Sequence, residues 1–137
     1  MNKIKYDSDL IKLITLFESM SGAKVKDCIA NEKLIFIVEE NEMGRAIGKN
    51  GVTIKRLENI LKKKIRLFEF SSDVLQFVRN LAYPIELQDI KEENDIITIS
   101  IKSTSAKAML IGRERQNINH LSNIVKRYFD IKEIKII

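Results

Sequence analysis

The sequence has one cysteine, one proline, one histidine and no tryptophan. A lone cysteine, Cys28, cannot close a disulfide within the chain, which fits a reducing compartment. One proline and five glycines among 137 residues leave no room for a low-complexity linker. No apolar run approaches the roughly 20 residues that cross a bilayer, and the opening MNKIKYDSDL lacks the apolar centre of a secretory signal. The expectation is a cytoplasmic protein with no membrane partner. A single histidine, His120, and no spaced carboxylate–histidine set provide no catalytic constellation. Neither zinc-ligand spacing nor a GxxxxGK[ST] stretch occurs, so no cofactor, metal or small-molecule substrate is expected.

What is present describes a folded protein, with 45% of residues apolar and 31% charged, outside the range of disordered chains. A length of 137 residues suits one domain or two small ones. The net charge is +5, and its distribution says more than its size. Residues 44–66 carry eight basic side chains (Arg45, Lys49, Lys55, Arg56, Lys62, Lys63, Lys64 and Arg66) against Glu58. Residues 102–127 carry six (Lys102, Lys107, Arg113, Arg115, Lys126 and Arg127) against Glu114. These windows hold +12, which leaves −7 for the rest of the chain. Positive charge gathered into two segments fits a polyanion partner, although two solvated helix faces would look the same from charge alone.

Shifted by 64 residues, the sequence falls onto itself. Ser8-Asp9-Leu10 meets Ser72-Asp73-Val74, and Leu13, Ile14 and Phe17 meet Phe77, Val78 and Leu81. Ile35 and Ile37 meet Ile99 and Ile101; Ile47-Gly48 meets Ile111-Gly112. Ile54, Leu57, Ile60 and Leu61 meet Ile118, Leu121, Ile124 and Val125. One offset serves from residue 8 to about residue 62, the mark of a tandem duplication.

The first copy reads as helix, strand, strand, helix, loop, helix, strand. Leu10, Leu13, Ile14, Phe17 and Met20 form a stripe at helical spacing over residues 8–20, with Asp7 or Ser8 as its cap. Residues 24–30 and 33–39 suit strands joined by a turn at Asn31-Glu32. The wholly apolar LIFIV suits a central strand. A short helix ends at Ile47, and a second begins near Val52 with Ile54, Leu57, Ile60 and Leu61 facing inward. IRLFEF then closes the unit as a strand. In the second copy a helix over residues 72–83 ends at Pro84, strands follow near 85–91 and 96–101, and helices near 104–111 and 116–129 precede a last strand in IKEIKII. Ile97, Ile99 and Ile101 alternate with Thr98 and Ser100, as a strand with one buried face does. The boundary falls near Ser71-Ser72, giving domains 1–71 and 72–137 with almost no linker.

Between the two helices of the first copy lies GKNG, residues 48–51. Glycines there let a nucleic-acid backbone approach closely and reach positive φ. The helix that follows points its free N–H groups and positive dipole end at the loop. Lys49 adds a point charge and Asn50 a neutral donor, so phosphate is the matching ligand. Taken alone, a GxxG stretch is more often a helix C-cap than a phosphate cradle.

Loop, flanking cations, element order and duplication together resemble the KH domain family in its type II arrangement, with IGKNG matching the GxxG signature over a likeness that covers nearly the whole chain. The resemblance implies an α+β fold of two tandem type II KH domains. In that family the loop clamps the backbone of about four single-stranded nucleotides. Gly48, Lys49, Asn50 and Gly51 would then contact phosphates, Ile47 and Ile54 would wall the base groove, and Arg45 and Lys55 would add attraction from its rim. Core packing is the other reading of Ile47 and Ile54. The second copy departs from the pattern: GRER keeps Gly112 but sets Arg115 at the second glycine position and Glu114 on the phosphate path. If that position is left-handed, arginine costs roughly 1–2 kcal/mol more than glycine. Arg113 and Arg115 offset the loss electrostatically, while Gln116 and Asn117 would cap the following helix or bond RNA. The second copy thus stands open between an RNA site and a vestigial one.

IGKNG in the first copy with IGRxxQN in the second narrows the resemblance to the short, KH-only archaeal NusA-like transcription factors. That implies a non-enzymatic monomer that binds single-stranded RNA during transcription elongation or termination, with RNA polymerase or other transcription proteins as further partners. Bacterial members carry a polymerase-binding domain and an S1 domain not found in this sequence, which leaves polymerase contact open. A role in ribosome assembly or RNA processing would use the same fold, and a protein-binding scaffold would use the same groove.

Overall fold

The computed structural model describes residues 8–30 and 33–137. The expected Asp7 cap and the Asn31-Glu32 turn lie outside the described residues. The chain divides into two compact units, one ending at Ser71 and the other running from Ser72 to Ile137.

In the first unit the order is α1 (Ser8–Ser21), β1 (Val25–Ala30), β2 (Leu34–Val38), α2 (Met43–Ile47), α3 (Val52–Leu61) and β3 (Ile65–Glu69). The middle strand, β2, runs antiparallel to β1 and parallel to β3. LIFIV is apolar throughout because that middle strand is buried at all five positions. The two-residue period of a strand sends Leu34, Phe36 and Val38 into the cluster of Phe17, Ala46 and Leu57. Ile35 and Ile37 are buried on the opposite face. Phe17 meets Phe36 with ring centres 4.4 Å apart, and each such side chain contributes about 1.5–3 kcal/mol by leaving water. The rest of the α1 stripe (Leu10, Leu13, Ile14 and Met20) packs at the margin of this cluster. Two carboxylates fasten the strands: Glu18 accepts the Val25 N–H at 2.9 Å, and Glu58 accepts the Ile65 N–H at 3.0 Å.

The second unit repeats the order with α4 (Val74–Ala82), β4 (Asp89–Glu93), β5 (Ile96–Ser100), α5 (Thr104–Ile111), α6 (Gln116–Lys126) and β6 (Glu133–Ile136). Its sheet places β5 in the middle, antiparallel to β4 and parallel to β6. Asp73 caps α4 by accepting the Leu75 N–H, and Ser103 caps α5 through the Ala106 N–H. Ile97 and Ile99 are fully buried, as is Phe77, which meets the Tyr128 ring edge-on at 5.7 Å.

Three expectations shift. The strand expected from residue 85 starts at Asp89, because the Ile85 N–H closes a turn onto the Ala82 carbonyl. The helix expected to reach residue 129 ends at Lys126, where Arg127 and Tyr128 tighten onto the carbonyls of Ile124 and Val125. Ile60, expected inward, is 56% exposed, since Leu57 takes the buried position and residue 60 falls at the rim of that stripe. Among the described residues no helix is long and apolar enough to cross a membrane.

Candidate nucleic-acid interface

The first loop is built around Gly48. Its N–H donates to the Gly44 carbonyl at 3.1 Å and ends α2, and its backbone takes φ 77°, ψ 172°, a region open essentially to glycine alone. Space imposes the same choice: a Cβ there would stand 2.3 Å from Thr53 Oγ1 and 3.1 Å from the Thr53 nitrogen. The chain then makes a single tight turn over Lys49–Gly51, closed by the Gly51 N–H on the Gly48 carbonyl at 3.2 Å. Asn50 (φ 56°, ψ 27°) and Gly51 (φ 73°, ψ 16°) are both left-handed. Asparagine is among the few side chains that tolerate this. At Gly51 an added Cβ would meet only Lys55 Cε, at 3.9 Å, so glycine serves conformation there and not space.

This loop presents Lys49 and Asn50 to solvent at the start of α3, whose first turn has no side-chain cap. Uncapped N–H groups, the positive dipole end and a lysine make an anion-binding arrangement. Of the rim cations, Lys55 is exposed and Arg45 lies 3.6 Å from the Glu42 carboxylate, which also accepts the Lys24 N–H at 2.9 Å. Ile47 is 41% exposed and Val52 51%, so apolar surface flanks the loop on both sides. Ile54 instead packs partly buried against the core. Sequence reasoning passed over Val52 and Thr53. The signal for Thr53 was its repeat offset, since Asn117 stands the same five residues beyond its glycine.

The second loop has the same backbone. Gly112 takes φ 76°, ψ 171°, Glu114 takes φ 54°, ψ 32°, and Arg115 takes φ 62°, ψ 20°. Position 115 is therefore left-handed without a glycine. A Cβ on Gly112 would stand 2.6 Å from Asn117 Cγ. Asn117 does not cap the helix that follows: its Nδ2 donates to the Met109 carbonyl at 2.9 Å, closing the helix before it. Arg113, Arg115 and Gln116 remain exposed.

Away from the loops, Cys28 is buried in β1. Burial first, and the Asp27 charge next, push its thiol up to about 12, so it is not a nucleophile at neutral pH. Among the described residues no group of three or more histidine, cysteine, aspartate or glutamate side chains could hold a metal ion.

Against known proteins, the family model of the KH domain matches residues 13–79. A "Probable transcription termination protein NusA" from Methanococcus vannielii is 37% identical over 98% of this chain and 80% of its own length. The protein of the same description from Methanocaldococcus jannaschii is 31% identical over 100% of this chain and 77% of its own. That of Thermoplasma acidophilum is 30% identical over 99% and 97%. A solved crystal structure, of APE1850, superposes with a TM-score of 0.77 at 29% identity, covering 96% of this chain and 100% of the other. With the loop geometry and the KH match, the likeness to these relatives over nearly the whole chain leads to one conclusion: the chain belongs to the archaeal NusA-like family of KH-domain proteins.

Proposed function

We propose that this chain binds single-stranded RNA without catalysis, as a NusA-type factor of transcription elongation and termination, and that both units are type II KH domains. The observation that carries the RNA reading is Gly48, barred to any side chain by φ 77°, ψ 172° and by Thr53, beside the exposed Lys49 and Asn50. A backbone shaped in this way admits a phosphodiester strand at contact distance, and phosphates match the donors it presents. The reading of the second unit is supported by its repeated element order and by loop angles that follow those of the first, within a degree at the leading glycine (φ 77° and 76°) and both left-handed at the fourth position (φ 73° and 62°). Gly112, Arg113, Arg115, Gln116 and Asn117 form its candidate contact surface. The same reading takes the protein as a cytoplasmic monomer, with RNA polymerase or other transcription proteins as further partners.

Fluorescence anisotropy with a mixed panel of short single-stranded RNAs tests it. About three or four phosphate contacts at a working site give a log-affinity against log-salt slope near −2 to −3. Lys49→Asp/Asn50→Asp, shown by circular dichroism to stay folded, should abolish binding at the first loop. A slope near zero, or no RNA binding by the wild type, would overturn the reading.

A further inference from the structure

The far end of α3 carries KKKIR, residues 62–66, with Lys62, Lys63, Lys64 and Arg66 all exposed. One cation at a helix C-terminus is enough to complement the dipole; four in five residues repel one another. Among the described residues the three lysines make no ion pair, and Glu58, the only acid between residues 44 and 66, sets one carboxylate, bonded to the Ile65 N–H, against the four cations. Lys62 sits in the left-handed C-cap position (φ 54°, ψ 38°), where helices usually place glycine or asparagine. The Arg66 guanidinium stands over the Phe68 ring, 5.3 Å from its centre. Four exposed cations with one carboxylate among them, and no ion pair to the lysines among the described residues, fit an external polyanion.

The second unit does not repeat the cluster. Beyond Lys126 and Arg127 its chain continues with the buried Tyr128 and with Asp130. The cluster therefore belongs to the unit that carries the two-glycine loop, at the opposite end of the same helix. Ten residues of α3 set the two about 15 Å apart.

We infer that Lys62, Lys63, Lys64 and Arg66 form a second anion site on the first unit, which takes the phosphodiester backbone of the same RNA strand beyond the nucleotides held at the Lys49–Gly51 loop. This rests on the RNA reading of that loop. The three lysines act on the strand as point charges, so the site adds affinity and salt dependence for longer strands.

The test is an anisotropy titration of single-stranded RNAs from about 4 to about 12 nucleotides. It compares the wild type with Lys62→Gln/Lys63→Gln/Lys64→Gln and with Lys49→Asp/Asn50→Asp, each checked by circular dichroism. The shortest RNA should bind the wild type and the glutamine variant alike. The longest should bind the wild type about tenfold more tightly, and the glutamine variant should lose that gain with a salt slope shallower by about 2. An unchanged length gain and slope in the glutamine variant overturn the cluster and leave the loop reading standing. Loss in the glutamine variant with no effect of the loop variant keeps the cluster and overturns the loop. Failure of the wild type to bind RNA of any length overturns both, and polyglutamate bound as tightly as the longest RNA overturns the nucleic-acid ligand.

Discussion

Asn117 and Met109 are joined across the second loop, the side-chain Nδ2 of one donating to the backbone carbonyl of the other at 2.9 Å. The bond satisfies one of the carbonyls that the end of α5 leaves open. It also lays the asparagine against Gly112, leaving no room there for a Cβ. In the first loop Thr53 packs against Gly48 from the same position. The second loop thus keeps its shape through a side-chain bond where it lacks the second glycine.

Removing that bond should loosen the loop. Asn117→Ala is expected to lower stability by about 1 kcal/mol in urea denaturation and to speed amide exchange at residues 113–116. Unchanged exchange there would show that the loop holds its shape without Asn117.

The two glycines of the first loop should not be equivalent. Gly48→Ala meets both a glycine-only conformation and the Thr53 hydroxyl and is expected to cost roughly 3 kcal/mol. Gly51→Ala meets left-handed strain alone, about 1 kcal/mol. Urea midpoints of the two variants decide the point; equal losses would remove the role assigned to Thr53.

Two left-handed cations offer stability in exchange for charge. At Arg115 (φ 62°) and Lys62 (φ 54°), glycine relieves about 1–2 kcal/mol of strain and gives back part of it as chain entropy, about 0.5–1 kcal/mol. Arg115→Gly and Lys62→Gly should each raise the calorimetric Tm by a few degrees. A lower Tm in either would mean that the side chain stabilises the native state by some other contact.

The thiol of Cys28 gives a pH dependence of definite sign. Its pKa rises from the ordinary 9.0 to about 12 on folding, through burial first and Asp27 second. Between these values the unfolded chain has released the proton and the folded chain has kept it, so stability falls as pH rises from about 9 to about 12. Below about 9 both states hold the proton and the contribution is flat. Other groups titrate in the same range, so the wild type is compared with Cys28→Ala, and the fall in urea midpoint should be steeper for the wild type. Parallel curves would place the thiol at its ordinary value.

Much of the fold was legible because its signals are local. The α1 stripe from Leu10 to Met20, the apolar LIFIV and the glycine at residue 48 each depend on period or on one residue's backbone freedom. The 64-residue offset likewise matched the loops and the starts of α3 and α6. In the sheet it did not carry the burial pattern. Ile35 and Ile99 are both buried, but β2 is buried at all five positions while β5 alternates buried with half-buried residues, a difference that repeat matching by residue type does not predict.

The sequence by itself determined the order of elements, the duplication, the place of the loop and the sign of its charge, since all of these follow from neighbours a few residues apart. Tertiary structure decided which apolar residues stay outside, as with Ile47, Val52 and Ile60. It also decided that Asn117 bonds backward to Met109 and that Arg115 accepts a glycine's conformation. Those outcomes depend on how much buried surface and how many hydrogen bonds the packed unit gains elsewhere, a balance struck across the whole unit and not within any short stretch of chain.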